Sequence, residues 1–203
     1  IYRVYQGINH MSLQGSVMRS LSVCVYCGAR QGANPAYMEA ATALGEALAA
    51  AGMRLVYGAG DVGIMGGVAR AAQAAGGETF GVIPQHLMEW EVGKRDLTTF
   101  IVTETMHERK KVMFMNADVV VVLPGGAGSL DELFEVLTWR QLRLHSKPIY
   151  LVDINSYWQP LIGLIDHVIA EGFAEDSLKG FFHTVPDIPA LLHALQQPQA
   201  PAH

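Results

Sequence analysis

Cysteine, charge and long apolar runs are all scarce in this chain, and each scarcity closes off a class of protein. Two cysteines in 203 residues are too few for the disulfide framework that staples small secreted domains. They stand as Cys24-Val25-Tyr26-Cys27, a spacing that would form a redox pair in a helix-terminal setting. Here they fall in the apolar run 21–27, which reads as a strand. A separation of three on a strand sends the two side chains to opposite faces, so both are expected to be free core residues. Charged residues make up 16% of the chain, and 14 Lys and Arg against 19 Asp and Glu leave a formal net charge of −5. That balance argues against attraction to a nucleic-acid backbone, which needs Lys and Arg clustered on one face. It leaves room for a small anion held by a few backbone amides and one Arg. No stretch reaches the roughly 20 uninterrupted apolar residues of a membrane-spanning helix, and the first residues show no apolar signal-peptide core. The expectation is a soluble, cytoplasmic protein with neither nucleic acid nor membrane as partner.

What is abundant is apolar surface: half of all positions are hydrophobic, enough for one sizeable core and one domain, placed at 19–197. Residues 1–18 lack periodicity and read as a disordered tail or vector remnant, with His10-Met11 suited to a junction. The Pro- and Gln-rich residues 198–203 read as a frayed end. Between these, short β-rich runs at 21–26, 54–57, 78–82, 100–102, 119–123 and 149–152 alternate with helical patterns at 35–51, 65–75, 106–116, 129–144 and 158–171. Asn34-Pro35 starts the first helix, Gly52 ends it, and Gly76-Gly77 ends the second. A strand as uniformly apolar as Val119-Val120-Val121-Val122-Leu123 is covered on both faces. The fold class expected is therefore a doubly wound, mostly parallel α/β sheet, Rossmann-like, with helices on both faces.

Ligands of such sheets sit outside the carboxyl ends of the strands, where connections run to opposite faces. Three loops, 28–32, 58–63 and the turn beginning at Pro124, are expected to meet there. In that turn Gly125, Gly126 and Gly128 stand between a buried strand and a long helix, so backbone amides can face a ligand without obstruction. The helix dipole adds about half a positive charge, and Ser129 adds a hydroxyl. The turn lacks the Lys of a triphosphate P-loop, so a monophosphate fits better. Two alternatives stay open. Gly58-Ala59-Gly60-Asp61-Val62-Gly63 matches the dinucleotide pattern, although no acidic residue ends the following strand as a ribose partner. Ser129-Leu130-Asp131-Glu132 also spells a capping box, in which Glu132 would serve only the helix.

Thr105-Met106-His107-Glu108 is a second capping-box pattern, followed at once by Arg109 and Lys110. Cations in a first helical turn oppose the dipole, so these two need a compensating anion or lie solvated on an exposed face. His107 reads as a surface or packing residue, and Met113 and Trp139 fall at core spacings. The eight histidines show no metal-ligand spacing, and no lysine sits in a recognisable pyridoxal-phosphate setting.

Over about 21–195 the chain resembles the LONELY GUY family, cytokinin riboside 5′-monophosphate phosphoribohydrolases often mislabelled lysine decarboxylases. The family pattern Pro-Gly-Gly-x-Gly-Thr-x-x-Glu appears as Pro124-Gly125-Gly126-Ala127-Gly128-Ser129-Leu130-Asp131-Glu132, with Ser in place of Thr. An Arg-Lys pair after Met-His appears as Met106-His107-Glu108-Arg109-Lys110. Gly63-Ile64-Met65-Gly66 and Leu137-Thr138-Trp139 agree as well. The resemblance implies hydrolysis of the N-glycosidic bond of adenosine 5′-monophosphate or its N6-prenylated forms, with no cofactor and no metal. It implies Arg109 and Glu132 as the catalytic pair. Glu91, Lys110, Gly125, Gly126, Ala127, Gly128, Ser129, Leu130, Asp131 and Thr138 would line the substrate site, and loops around 87–95 would receive the base substituent. It also implies a homodimer. A non-catalytic carrier of a nucleotide or molybdenum cofactor would use the same cradle without turnover.

Overall fold

The computed structural model describes residues 20–88 and 96–197. The expected tail at 1–18, the expected frayed end at 198–203 and the expected substrate contact Glu91 lie outside the described residues. Seven parallel strands form one sheet. They are β1 (Ser22–Tyr26), β2 (Arg54–Tyr57), β3 (Thr79–Pro84), β4 (Thr99–Thr103), β5 (Val119–Val122), β6 (Ile149–Val152) and β7 (His183–Val185), in the spatial order β4-β3-β2-β1-β5-β6-β7. Central β1 pairs with β2 on one side and β5 on the other, with Val23 beside both Leu55 and Val119.

Alternation along each strand divides the core into two layers. Val23 and Val25 face one cluster with Leu44 and Leu48 of α1 (Pro35–Ala50), Ile64 and Val68 of α2 (Gly63–Ala74), and Leu191 of α6 (Ile188–Gln196). Cys24 and Tyr26 face the other, with Met113 of α3 (Met106–Met115), Leu133 of α4 (Ala127–Gln141) and Ile165 of α5 (Gln159–Ala170). Cys24 and Cys27 therefore lie in opposite layers, both buried and neither in a disulfide. The fold is the Rossmann-like doubly wound sheet that the alternating pattern implies.

Local signals account for the element ends. Asn34 caps α1 by accepting from the Ala36 amide at 3.0 Å, with Pro35 in the first turn. The Thr105 box is complete in both directions: Thr105 accepts from the Glu108 amide, and Glu108 accepts from the amide of Thr105. Met113 is buried at 1% exposure, and Trp139 stacks edge-on against Phe114 at 5.0 Å. Three departures from the sequence reading matter. Helix α4 begins at Ala127 rather than at residue 129, because Gly126 is its extended N-cap. It ends at Gln141 rather than 144, because the Leu144 amide folds back to Trp139 and Arg143 turns left-handed at φ 59°. The chain beyond α5 adds β7 and α6, unassigned by periodicity because β7 has only three residues. Asp187, which caps α6, and Pro189 in its first turn were the legible signal there. No helix among the described residues is long and apolar enough to cross a membrane.

Candidate functional site

The connection after β1 runs to the α1 face and that after β5 to the α4 face, so the sheet switches direction between these neighbours. A cleft of about 600 Å³ opens at that point, a size suited to a small organic ligand. The loop after β1, the turn after β5, Ile64 and Met65 of α2, Met106 and Arg109 of α3, and Tyr157 form its walls. Of the three loops expected to converge, 58–63 contributes no lining residue. It stands behind the wall: the Met65 amide bonds the Gly28 carbonyl at 3.2 Å, and the Gly58 carbonyl faces Arg109. Gly58 lies against the Arg109 guanidinium, and Gly63, at φ 57°, lies against the Ala29 backbone, where a Cβ would overlap it.

The glycine turn is held by its neighbours. Leu123 donates to the Tyr26 carbonyl at 2.9 Å, and Gly28 donates to the Pro124 carbonyl at 3.1 Å. The first bond inside α4 runs from Leu130 to Gly126 at 3.1 Å. The amides of Ala127, Gly128 and Ser129 thus have no acceptor within the helix and present the positive end of the helix dipole. Gly126 caps the helix with no side-chain bond, so the capping box read at Ser129 does not exist. Ser129 occupies the third helical position instead, 3% exposed, with a hydroxyl that has no partner. An unsatisfied buried hydroxyl costs about 1–3 kcal/mol, a cost that a bound acceptor removes. Its side chain fills the space beside Gly125, where any Cβ would overlap it.

Glu132 lies three residues beyond Ser129 on the same helix face and lines the cleft, half-buried. Burial, the neighbouring Cys24 thiol and the Glu132 carboxylate together push the Tyr26 phenol well above its ordinary range. Burial first, then Glu132, raises the Cys24 thiol in the same way. Glu132 therefore lies near Cys24 and Tyr26 of β1, on the α4 side of the sheet.

Arg109 is 4% exposed. Its Nε donates to the Val82 carbonyl at 3.2 Å and its Nη2 to the Gly58 carbonyl at 2.7 Å, tying β3 to the residue that follows β2. Gly58 has to lack a side chain, since a Cβ would collide with the guanidinium. Lys110 is buried too, but it faces the other way. Its Nζ donates to Asp131 at 3.0 Å and pairs with Glu135 at 3.1 Å, both on α4. Loss of water alone would lower its pKa; the hydrogen bonds from these two carboxylates outweigh that and raise it. The apparent clash of two cations with the α3 dipole is resolved by carbonyls for one and carboxylates for the other, and neither cation is a solvated surface charge.

Among the residues implied by resemblance, the cleft gathers Arg109, Gly125, Gly126, Ala127, Gly128, Ser129, Asp131 and Glu132. Lys110, Leu130 and Thr138 do not line it: Leu130 packs into the α4-side core, and exposed Thr138 bonds its own helix at the Phe134 carbonyl, 2.7 Å away. His107 is exposed and away from the cleft. Sequence reasoning missed Tyr157, whose hydroxyl donates to the Gly125 carbonyl at 2.6 Å, and Tyr37, whose ring meets that of Tyr157 edge-on at 5.4 Å. Nothing local marks either residue. Among the described residues no group of His, Cys, Asp and Glu is placed to hold a metal ion, and no lysine lines the cleft.

Fold and site define a doubly wound α/β protein with a glycine turn opening a helix at its topological switch point and a carboxylate one helical turn beyond it. Residues 65–195 match a family model described as possible lysine decarboxylase. The chain is 41% identical over 175 residues to a probable cytokinin riboside 5′-monophosphate phosphoribohydrolase of Oryza sativa subsp. japonica, covering 86% of this chain and 77% of that one. It is 36% identical over 192 residues to a cytokinin riboside 5′-monophosphate phosphoribohydrolase of Arabidopsis thaliana, covering 95% and 88%. The chain belongs to the LONELY GUY family of cytokinin riboside 5′-monophosphate phosphoribohydrolases. Solved structures with the same fold include the molybdenum cofactor carrier protein of Chlamydomonas reinhardtii, with TM-score 0.66, 21% identity, and 88% and 98% coverage. The molybdenum cofactor binding protein of Rippkaea orientalis aligns similarly, with TM-score 0.67, 22% identity, and 88% and 97% coverage.

Proposed function

We propose that this protein hydrolyses the N-glycosidic bond of adenosine 5′-monophosphate or its N6-prenylated forms, releasing free base and ribose 5-phosphate. The observation that carries this reading is the buried, unpartnered Ser129 hydroxyl beside the open amides of α4, on one helix face with Glu132. Three residues advance a helix by about 4.5 Å, of the order that separates a 5′-phosphate from the anomeric carbon of the same nucleotide. With phosphate on the amides of residues 127–129 and the Ser129 hydroxyl, the ribose falls beside Glu132. Positive charge builds on the ribose ring as the bond to the base breaks, and the carboxylate stabilises it. Water supplies the new oxygen at the anomeric carbon, and its proton ends on the departing base. Arg109 holds a fixed positive charge at the cleft wall, where it orients Glu132 or the phosphate.

Incubating the protein with adenosine monophosphate and with its prenylated form, then assaying free base, tests the reading directly. Release of base is expected with at least one of them. Tight nucleotide binding without any release would transfer the cleft to the carrier reading.

The protein acts in this reading as a cytoplasmic homodimer. Support comes from α4 and its C-cap, where exposed Phe134, Thr138 and Leu142 recur at four-residue intervals as a single stripe. Thr138 faces away from its own cleft, so it serves a substrate site only by reaching that of the partner copy. Sedimentation at micromolar concentration is expected to give a dimer; a monomer would remove Thr138 from the site.

A further inference from the structure

The peptide linking Gly125 to Gly126 is the loosest part of the cradle by covalent structure, because neither residue has a Cβ to resist rotation. Half a turn about that peptide exchanges its N–H and its C=O, which point in opposite directions in a trans unit. A carbonyl oxygen swung among the α4 amides would set its negative end against any anion held there. Binding an anion therefore requires that this peptide keep one orientation.

Two contacts keep it. The Gly28 amide holds the Pro124 carbonyl at 3.1 Å and fixes the preceding peptide. The Tyr157 hydroxyl holds the Gly125 carbonyl at 2.6 Å and so fixes the direction of the Gly126 N–H as well. Because β6 lies next to β5, the connection after β6 arrives beside the turn. That connection is unusually constrained. Asn155 and Ser156 are both left-handed, at φ 52° and 59°, although neither is glycine. The Asp153 carboxylate then accepts from the Trp158 amide and the Gln159 side chain, each at 2.6 Å. The Tyr157 ring is wedged edge-on between Tyr37 at 5.4 Å and Trp158 at 4.8 Å. Two left-handed residues directly ahead of a ring packed on both sides hold the Tyr157 hydroxyl beside the Gly125 carbonyl.

We propose that Tyr157 is a positioning residue that locks the Gly125–Gly126 peptide in its anion-binding orientation. The proposal rests on the phosphate reading of the cleft. Its test is Tyr157→Phe, which removes one oxygen and leaves the ring. By calorimetry, affinity for adenosine monophosphate and for ribose 5-phosphate is expected to fall roughly tenfold, the worth of one hydrogen bond at the upper end of its range. Adenosine, which has no phosphate, should lose less than about twofold, since the lock acts only through the phosphate. In turnover, KM rises by the same factor as the phosphate ligands weaken, and kcat stays within about twofold, as for loss of uniform binding. In the unliganded variant the Gly126 amide resonance is expected to broaden from microsecond-to-millisecond exchange that the parent protein lacks. Unchanged affinity for both phosphate ligands in the variant would overturn the role of Tyr157 and leave the cradle standing. Parallel loss of adenosine binding would show general loosening and overturn it too. If the parent protein binds neither phosphate ligand, the phosphate reading fails and takes this proposal with it.

Discussion

Glu132→Gln is expected to leave nucleotide binding within a few-fold of the parent and to lower turnover by at least about 10²-fold, the scale on which removing one preorganised electrostatic group acts. The substitution keeps shape and volume, so the lining of the cleft stays filled. What it removes is the negative charge that, in the proposed reaction, would face the anomeric carbon as the ribose becomes cationic. Single-turnover base release in the presence of saturating adenosine monophosphate measures the chemical step alone. A variant that retained full turnover would move the reacting carboxylate elsewhere, and Asp131, which also lines the cleft, would be the next candidate. The helix-capping explanation of Glu132 is closed either way, because α4 is capped at Gly126 and Ser129 lies inside the helix.

Arg109→Ala carries the second large effect, and it acts on stability and activity together. The guanidinium binds the carbonyls of Gly58 and Val82, and at 4% exposure its removal leaves a cavity and two carbonyls short of a donor. Lost hydrogen bonds from a charged group and the empty space together cost about 3 kcal/mol. For a domain of this size that lowers the melting temperature by roughly 6–12 °C. Turnover should fall by about 10²-fold or more even at temperatures where the variant is folded, because a fixed charge at the cleft wall is gone. Arg109→Lys separates the two roles. A single ammonium cannot span both carbonyls as the planar fork does, so it should recover part of the stability and little of the activity. Calorimetric melting alongside base release reads both. An unchanged melting temperature for Arg109→Ala would contradict the buried arrangement described for it.

The contrast between Arg109 and Lys110 shows where the sequence stops being informative. As neighbours in one motif they look like a pair, and both seem misplaced at the start of a helix. Successive helical residues point about 100° apart, so only the packing of α3 decides what each meets. One reaches the strand ends and the cleft; the other reaches the carboxylates of Asp131 and Glu135 and joins α3 to α4. Ser129 shows the same limit. The string Ser129-Leu130-Asp131-Glu132 satisfies the capping rule locally, but whether it caps depends on where the helix starts. That is set by Gly126, in a turn held by Gly28 and by Tyr157, the latter 32 residues away from the carbonyl it binds.

By itself the sequence determined what depends on near neighbours: the alternation of strands and helices, the burial of a strand such as β5 on both faces, the opposite facing of Cys24 and Cys27, and a glycine turn opening a helix. Each follows from periodicity or backbone freedom within a few residues. The tertiary structure decided which groups line the cleft, because that depends on strand order and helix packing between segments far apart in the chain. It left Lys110, Leu130 and Thr138 outside, brought Tyr37 and Tyr157 in, and left the buried Ser129 hydroxyl without a hydrogen-bond partner, where the proposed phosphate would bind.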